Sequence, residues 1–256
     1  MITSSQNAKI KLIRALQGRA KERRDLGVFV AEGVRLVEEA INSKWPIRFV
    51  LYDDTLGERG KLNVKRLTLS GVEVDEIPAS MMKSLSETET PQGVLAVLEL
   101  TNLPIPKLPT FLLIPDQIRD PGNLGTLLRS AAAAGVDAVL LPPETTDAFA
   151  PKVLRSGMGA HFRLPIQSAT WDEIEQVGKL AGLQVFLADM DGQSCWETDL
   201  RQPLALIVGG EADGASESAR RLATKSISIP MPGKAESLNA GVAGSVLMFE
   251  VVRQRK

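Results

Sequence analysis

The chain has 256 residues, 44% of them hydrophobic and 24% charged, with a formal net charge of −1. This composition excludes a disordered or fibrous chain and leaves room for one large domain or two ordinary ones; Gly, Pro or charge breaks every apolar run before the ~18 residues of a membrane span. One cysteine, Cys195, and one histidine, His161, leave no internal disulfide and no thiolate metal site, and no export pattern opens the sequence, so a reducing, cytoplasmic setting is expected.

The near-neutral average hides a basic N-terminus. Residues 1–24 hold seven basic side chains against one acid, Glu22, a local charge of +6. Arg19, Arg23 and Arg24 are the candidate contacts to an RNA backbone, which rewards clustered positive charge; a solvated helix face is the plain alternative. A helix is predicted from about Asn7, followed by "VFVAEG", a helix over 34–41, "IRFVLYD", "VEVDEIP" and "GVLAVLEL". This alternation predicts a small α/β domain. Three prolines in "TNLPIPKLP", residues 101–109, restrain their own backbone and that of each preceding residue, which reads as an extended linker. The expected domains are therefore 1–104 and 105–256.

After the linker come "FLLIP", "DAVLLP", "LQVFLAD", "LALIVGG" and "SISIP", apolar without alternation, as strands covered by helices on both faces are; a mostly parallel sheet is predicted. The chain closes with a helix capped by Ser237 or Asn239 and apolar nearly all round. Gly241 and Gly244 each cost such a helix about 1 kcal/mol relative to Ala. They predict close packing, either inside the domain or across a dimer.

Whole reaction classes are disfavoured by what is missing. A lone His161 in "GAHFRLP" reads as structural, and no G-x-S-x-G elbow accompanies it. No phosphate loop and no dinucleotide fingerprint occur, which disfavours an ordinary nicotinamide- or flavin-binding domain, and no His, Cys and carboxylate cluster has metal-ligand spacing. Three loops remain, each at the C-terminal end of a predicted strand, where open α/β sheets bind ligands. The first holds Asp116, Asn123 and Arg129, the second runs Gly209-Gly210-Glu211-Ala212-Asp213-Gly214, and the third is "IPMPGKAESLN".

"DPGNLGTLLRSAAAAG", "IVGGEADGAS" and "IPMPGKAESLNAGVAGSVLMFEVVRQ" together resemble the three motifs of the TrmH/SpoU family of RNA ribose methyltransferases, of the SPOUT class. "RRDLGVFVAEGVRLVEEAI" with the basic segment before it resembles the small substrate-binding domain fused ahead of many such enzymes. The resemblance implies a trefoil-knotted α/β methyltransferase domain, a homodimer, and S-adenosylmethionine held by the loops around Gly209, Ile229 and Leu238. It implies 2'-O-methylation of ribose in structured RNA, ribosomal RNA ahead of transfer RNA, with no metal and no membrane. A catalytically inactive RNA-binding protein of the same fold is the alternative, against which the intact Asn123, Arg129, Glu211 and Asn239 speak.

By the same resemblance Arg129 handles the proton of the ribose hydroxyl, while Asn123, Glu211, Ser237 and Asn239 orient Arg129, the loops or the ribose. A guanidinium has no acceptor and a pKa above about 12, which makes it a poor base. Binding the neighbouring phosphate and stabilising developing alkoxide charge suit it better.

Overall fold

The computed structural model describes residues 1–210, 214–233 and 237–256; Glu211, an expected catalytic residue, lies outside them. In chain order the elements begin with α1 (Ala8–Gly18), α2 (Ala20–Leu26), β1 (Val28–Glu32), α3 (Val34–Asn42), β2 (Ile47–Tyr52), α4 (Glu58–Leu69), β3 (Glu73–Glu76), α5 (Ala79–Leu85) and β4 (Val94–Glu99). They continue with β5 (Phe111–Asp116), α6 (Pro121–Ala134), β6 (Ala138–Leu141), α7 (Pro151–Gly157), a 3-10 turn (Ala160–Phe162), β7 (Ile166–Ser168) and α8 (Trp171–Ala181). The last are β8 (Gln184–Ser194), β9 (Leu204–Gly209), α9 (Glu217–Leu222), β10 (Lys225–Ser228) and α10 (Ala240–Gln254). Two compact units result, Met1–Thr101 with Phe149–Phe162, and Asn102–Ala148 with Arg163–Lys256.

In the first unit the sheet runs β1-β4-β2-β3, with only β2 and β3 parallel. Asn7 starts α1 by accepting from Lys9 N–H at 2.8 Å, and Ile10, Ile13 and Leu16, spaced for one helical face, join Val28, Val30, Leu95 and Val97 in the core. The basic segment expected as one helix is two, because Arg19 is extended (φ −136°, ψ 116°) and ends α1. Residues 149–162 count with this unit, not with the methyltransferase half in which the expected break at 104/105 placed them. The Phe149 ring lies 5.0 Å from Phe29 and the Phe162 ring 5.3 Å from Trp45, while Arg155 on α7 pairs with Glu32 at 3.5 Å and Glu87 at 3.3 Å. His161, 1% exposed, packs 5.5 Å from Phe149.

The second unit is built on a six-stranded sheet, β10-β8-β9-β5-β6-β7, parallel throughout. Every residue of β5 and β6 is buried, as is all of β9 but its last residue, Gly209, which is why these strands read as unbroken apolar runs. Two helices then start beside the C-terminal ends of β5 and β9. Asp120 caps α6, its Oδ1 accepting from Asn123 N–H at 2.8 Å with Pro121 as the first helical residue, and Asn239 caps α10 by accepting from Val242 N–H at 3.2 Å.

The glycines of α10 serve packing inside this unit. A Cβ on Gly244 would stand 2.4 Å from Leu127 Cδ2 and 3.1 Å from Val208 Cγ2, and one on Gly241 would stand 3.2 Å from Thr126 Cβ and 3.3 Å from the Asn123 carbonyl oxygen. The large hydrophobic residues that α10 leaves exposed are Val242, Val246 and Phe249, which share another face.

Candidate active site

The loops at the C-terminal ends of β8, β9 and β10, with the start of α10, enclose a cleft of about 750 Å³, within the ~300–1,000 Å³ usual for small-ligand sites. Gly209, Ile229 and Leu238, the expected cofactor contacts, all line it, as do Ser237 and Asn239 from the expected catalytic set. The wall is mostly small or apolar: Ala188, Val208, Gly210, Gly214, Ala240, Ala243 and Leu247 among others. Such a surface offers main-chain groups and apolar contact to a nucleoside and leaves its base edge to backbone amides.

Gly209 and Gly210 earn their places through the loop itself. A Cβ on Gly209 would meet Ala215 N at 2.8 Å and the Gly214 carbonyl carbon at 2.9 Å; one on Gly210 would meet the Gln117 carbonyl oxygen at 2.6 Å. The absent side chain of Gly209 therefore makes room for Gly214 and Ala215, and a bridge joins Gly210 to Gly214. Behind this loop Asp116, 0% exposed, accepts from Ser216 N–H at 2.6 Å. Its other oxygen has no hydrogen-bond partner among the described residues. Burial pushes this carboxyl above its ordinary value of 3.8, with the Ser216 hydrogen bonds opposing.

Asn123 and Asn239 stand 116 residues apart in sequence and meet here, Asn239 Nδ2 donating to Asn123 Oδ1 at 2.8 Å. The starts of α6 and α10 are thereby tied beside the cleft, and Ser130 and Ser245 hydroxyls repeat the tie two turns on, at 2.7 Å. Arg129 is exposed on α6 and does not line the cleft, so within one chain the expected catalytic set is only partly assembled.

Of the three arginines expected to touch RNA, Arg19 and Arg24 are exposed and Arg23 is not. Arg23 is 4% exposed and its guanidinium donates to the Leu16 carbonyl and, at 3.3 Å, to that of Gln17. It closes the C-terminal end of α1, so its charge was misread as a surface charge. Lys9, also in the basic segment, is engaged with Glu73 and Asp75.

Sequence reasoning missed Asp189, Met190 and Arg220, all of which line the cleft. Asp189 had a usable signal, since it follows the apolar core of a strand in the same sheet as the three named loops. Arg220, on α9, had none. No group of three or more His, Cys, Asp or Glu side chains among the described residues is placed to hold a metal ion.

Residues 110–249 match the SpoU rRNA Methylase family and residues 7–96 the MRM3-like substrate binding domain. The chain is 34% identical over 253 residues to the 23S rRNA (guanosine(2553)-2'-O)-methyltransferase RlmP of Bacillus subtilis, covering 98% of each. It is 33% identical to the 23S rRNA (uridine(2479)-2'-O)-methyltransferase of Streptomyces viridochromogenes, over 98% of this chain and 92% of that one. Among solved structures, the AdoMet-bound rRNA methyltransferase from Sinorhizobium meliloti superposes with a TM-score of 0.86 at 31% identity, covering 98% of this chain and 97% of that chain. Matched over 140 of its residues by the catalytic-domain family and over nearly its whole length by these relatives, the chain belongs to the SpoU rRNA methylase family.

Proposed function

We propose that the protein transfers a methyl group from S-adenosylmethionine to a ribose 2'-hydroxyl of ribosomal RNA, working in the cytoplasm as a knotted homodimer. The observation that carries this reading is the Asn239–Asn123 hydrogen bond, which fixes polar side chains from two helix starts at the edge of a cleft of nucleoside size. The cofactor, when bound, supplies an electrophilic methyl on a sulfonium. The chain's own part is to hold the acceptor hydroxyl in line with it, and well-oriented reacting pairs gain roughly 7–11 kcal/mol from such positioning. Asn123 and Asn239 orient the ribose at that edge. Arg129, exposed and without a partner among the described residues, is available to bind the adjacent phosphate and to stabilise the alkoxide as the proton leaves.

Arg129 standing outside its own cleft suits a site completed by a second copy. Val242, Val246 and Phe249, spaced i, i+4 and i+7 on α10 and 45%, 39% and 48% exposed, form an apolar stripe suited to that contact. The unit formed by Met1–Thr101 and Phe149–Phe162 takes the RNA-binding role, with Lys11, Arg14, Arg19, Lys21 and Arg24 exposed on its basic helices. No helix among the described residues is long and apolar enough to cross a membrane.

The test is single-turnover methyl transfer to ribosomal RNA transcripts, followed by mapping of ribose methylation. Arg129→Ala lowers the rate at least about a hundredfold, as loss of one preorganised electrostatic group does, with cofactor affinity nearly intact. Transfer at the wild-type rate would return Arg129 to the status of a surface cation.

A further inference from the structure

Among the described residues the cleft wall is neutral except where two side chains meet. Among its described residues the only charged side chains are Asp189 and Arg220, and they face each other, Arg220 Nη1 donating to Asp189 Oδ2 at 2.8 Å. Their position is built by an irregularity in the sheet. β10 pairs with β8 at Ser226–Leu187 and next at Ile227–Gln193, so residues 188–192 swell out of the ladder between two successive partners. Gly192 permits the return, since a Cβ there would stand 2.5 Å from Ile227 N. The bulge delivers Asp189 and Met190 into the cleft, and Asp191 N–H donates to Asp189 Oδ1 at 3.2 Å, steadying the carboxylate. From the other side comes Arg220 on α9, its Nη2 3.5 Å from the point a Cβ on Gly214 would occupy.

We infer that Asp189 and Arg220 form the subsite for the amino-acid end of the cofactor, Arg220 receiving its carboxylate and Asp189 its ammonium. The inference rests on the S-adenosylmethionine reading above. The cofactor's adenosine is neutral, and the glycine, isoleucine and leucine wall around Gly209, Ile229 and Leu238 matches it. Its one carboxylate and one ammonium need partners of opposite sign, and the described residues of the cleft offer one of each, side by side. A guanidinium fork is the geometry that grips a carboxylate with two hydrogen bonds. Without a ligand the two side chains satisfy each other, yet Arg220 keeps 54% of its side chain exposed against 20% for Asp189. A half-exposed pair of this kind contributes little net stability, so it exchanges partners with a zwitterion at small cost.

The experiment compares two ligands by calorimetry on the full chain: S-adenosylhomocysteine, which carries the amino-acid end, and 5'-methylthioadenosine, which lacks it. The wild type binds both, the first more tightly. Arg220→Ala weakens S-adenosylhomocysteine at least tenfold and leaves 5'-methylthioadenosine within twofold; Asp189→Asn, which keeps the shape, repeats this selectivity in smaller degree. Equal losses for both ligands, or no loss for either, overturn the subsite. A wild type that binds neither ligand overturns the cofactor reading itself, and the subsite with it.

Discussion

Asn239 does two jobs, and Asn239→Asp separates them. Its Oδ1 caps α10 and its Nδ2 donates to Asn123 Oδ1. An aspartate keeps the cap and adds a negative charge at a helix N-terminus, a gain of about 0.3–1 kcal/mol. It has no N–H, so two oxygens would confront each other across the former 2.8 Å bond. Asn123 then recovers a hydrogen bond only by turning its amide over, which puts its oxygen where its NH2 group had been. Stability is thus nearly conserved while the polarity shown to the ribose is reversed. The melting temperature of Asn239→Asp stays within a few degrees of wild type, whereas Asn239→Ala loses the cap, about 1 kcal/mol, or roughly 2–4 °C for a chain of this size. Presenting two groups to the ribose with the wrong polarity, each worth about 0.5–1.5 kcal/mol as a neutral hydrogen bond, lowers single-turnover transfer roughly five- to a hundredfold. Differential scanning fluorimetry and a rapid-quench transfer assay report the two effects separately. Wild-type transfer in a stable Asn239→Asp would show the Asn–Asn bond to be a bystander, and melting below Asn239→Ala would refute the capping argument.

Gly244→Ala and Gly178→Ala make a matched pair, both in helices where alanine is intrinsically favoured by about 1 kcal/mol. Nothing lies within 4 Å of a Cβ on Gly178, whereas one on Gly244 is driven into buried Leu127 and Val208, so thermal melts show Gly178→Ala raised and Gly244→Ala lowered, the latter by a net ~1–2 kcal/mol after overpacking; stabilisation of Gly244→Ala would contradict the packing. Because burial raises the folded-state pKa of Asp116 above its ordinary 3.8, the native state binds this proton more tightly than the unfolded chain. Relative to Asp116→Asn, the wild type is therefore at its best below about pH 4 and loses stability as pH rises through the raised value, levelling beyond it; a melting-temperature difference flat across pH 4–8 would discount the burial cost. Changing exposed Arg19 and Arg24 to Ala flattens the logarithmic salt dependence of RNA binding by about 0.7 per lost single-strand phosphate contact, with cofactor binding unchanged, and an unaltered slope would mean that neither touches phosphate.

The parallel strands were legible because burial on both faces writes a continuous apolar run, and β5, β6 and β9 are buried in that way. The cleft was legible in outline because strand C-terminal ends are where such sheets leave room for a ligand. What escaped was tertiary. No local pattern announces that Asn239 will find Asn123, that a bulge will carry Asp189 inward, or that Arg220 will come to meet it. Arg23 misled because a charge in a basic run reads as solvated, while the broken helix at Arg19 gave its guanidinium two carbonyls to satisfy. Nor does any local pattern announce that the missing side chain of Gly209, which lines the cleft, makes room for residues 214 and 215.

The return of Phe149–Phe162 to the first unit bears on how the protein is made. On the ribosome, 101 residues do not yet contain everything the first unit needs: Phe29 and Trp45 lack the rings of Phe149 and Phe162, and Glu32 lacks Arg155. At about 5–20 residues per second the missing piece emerges several seconds later, after β5, α6 and β6 have been synthesised. Completion of the first unit must therefore wait for part of the second, and a fragment cut at the proline-rich linker begins life with an open aromatic face.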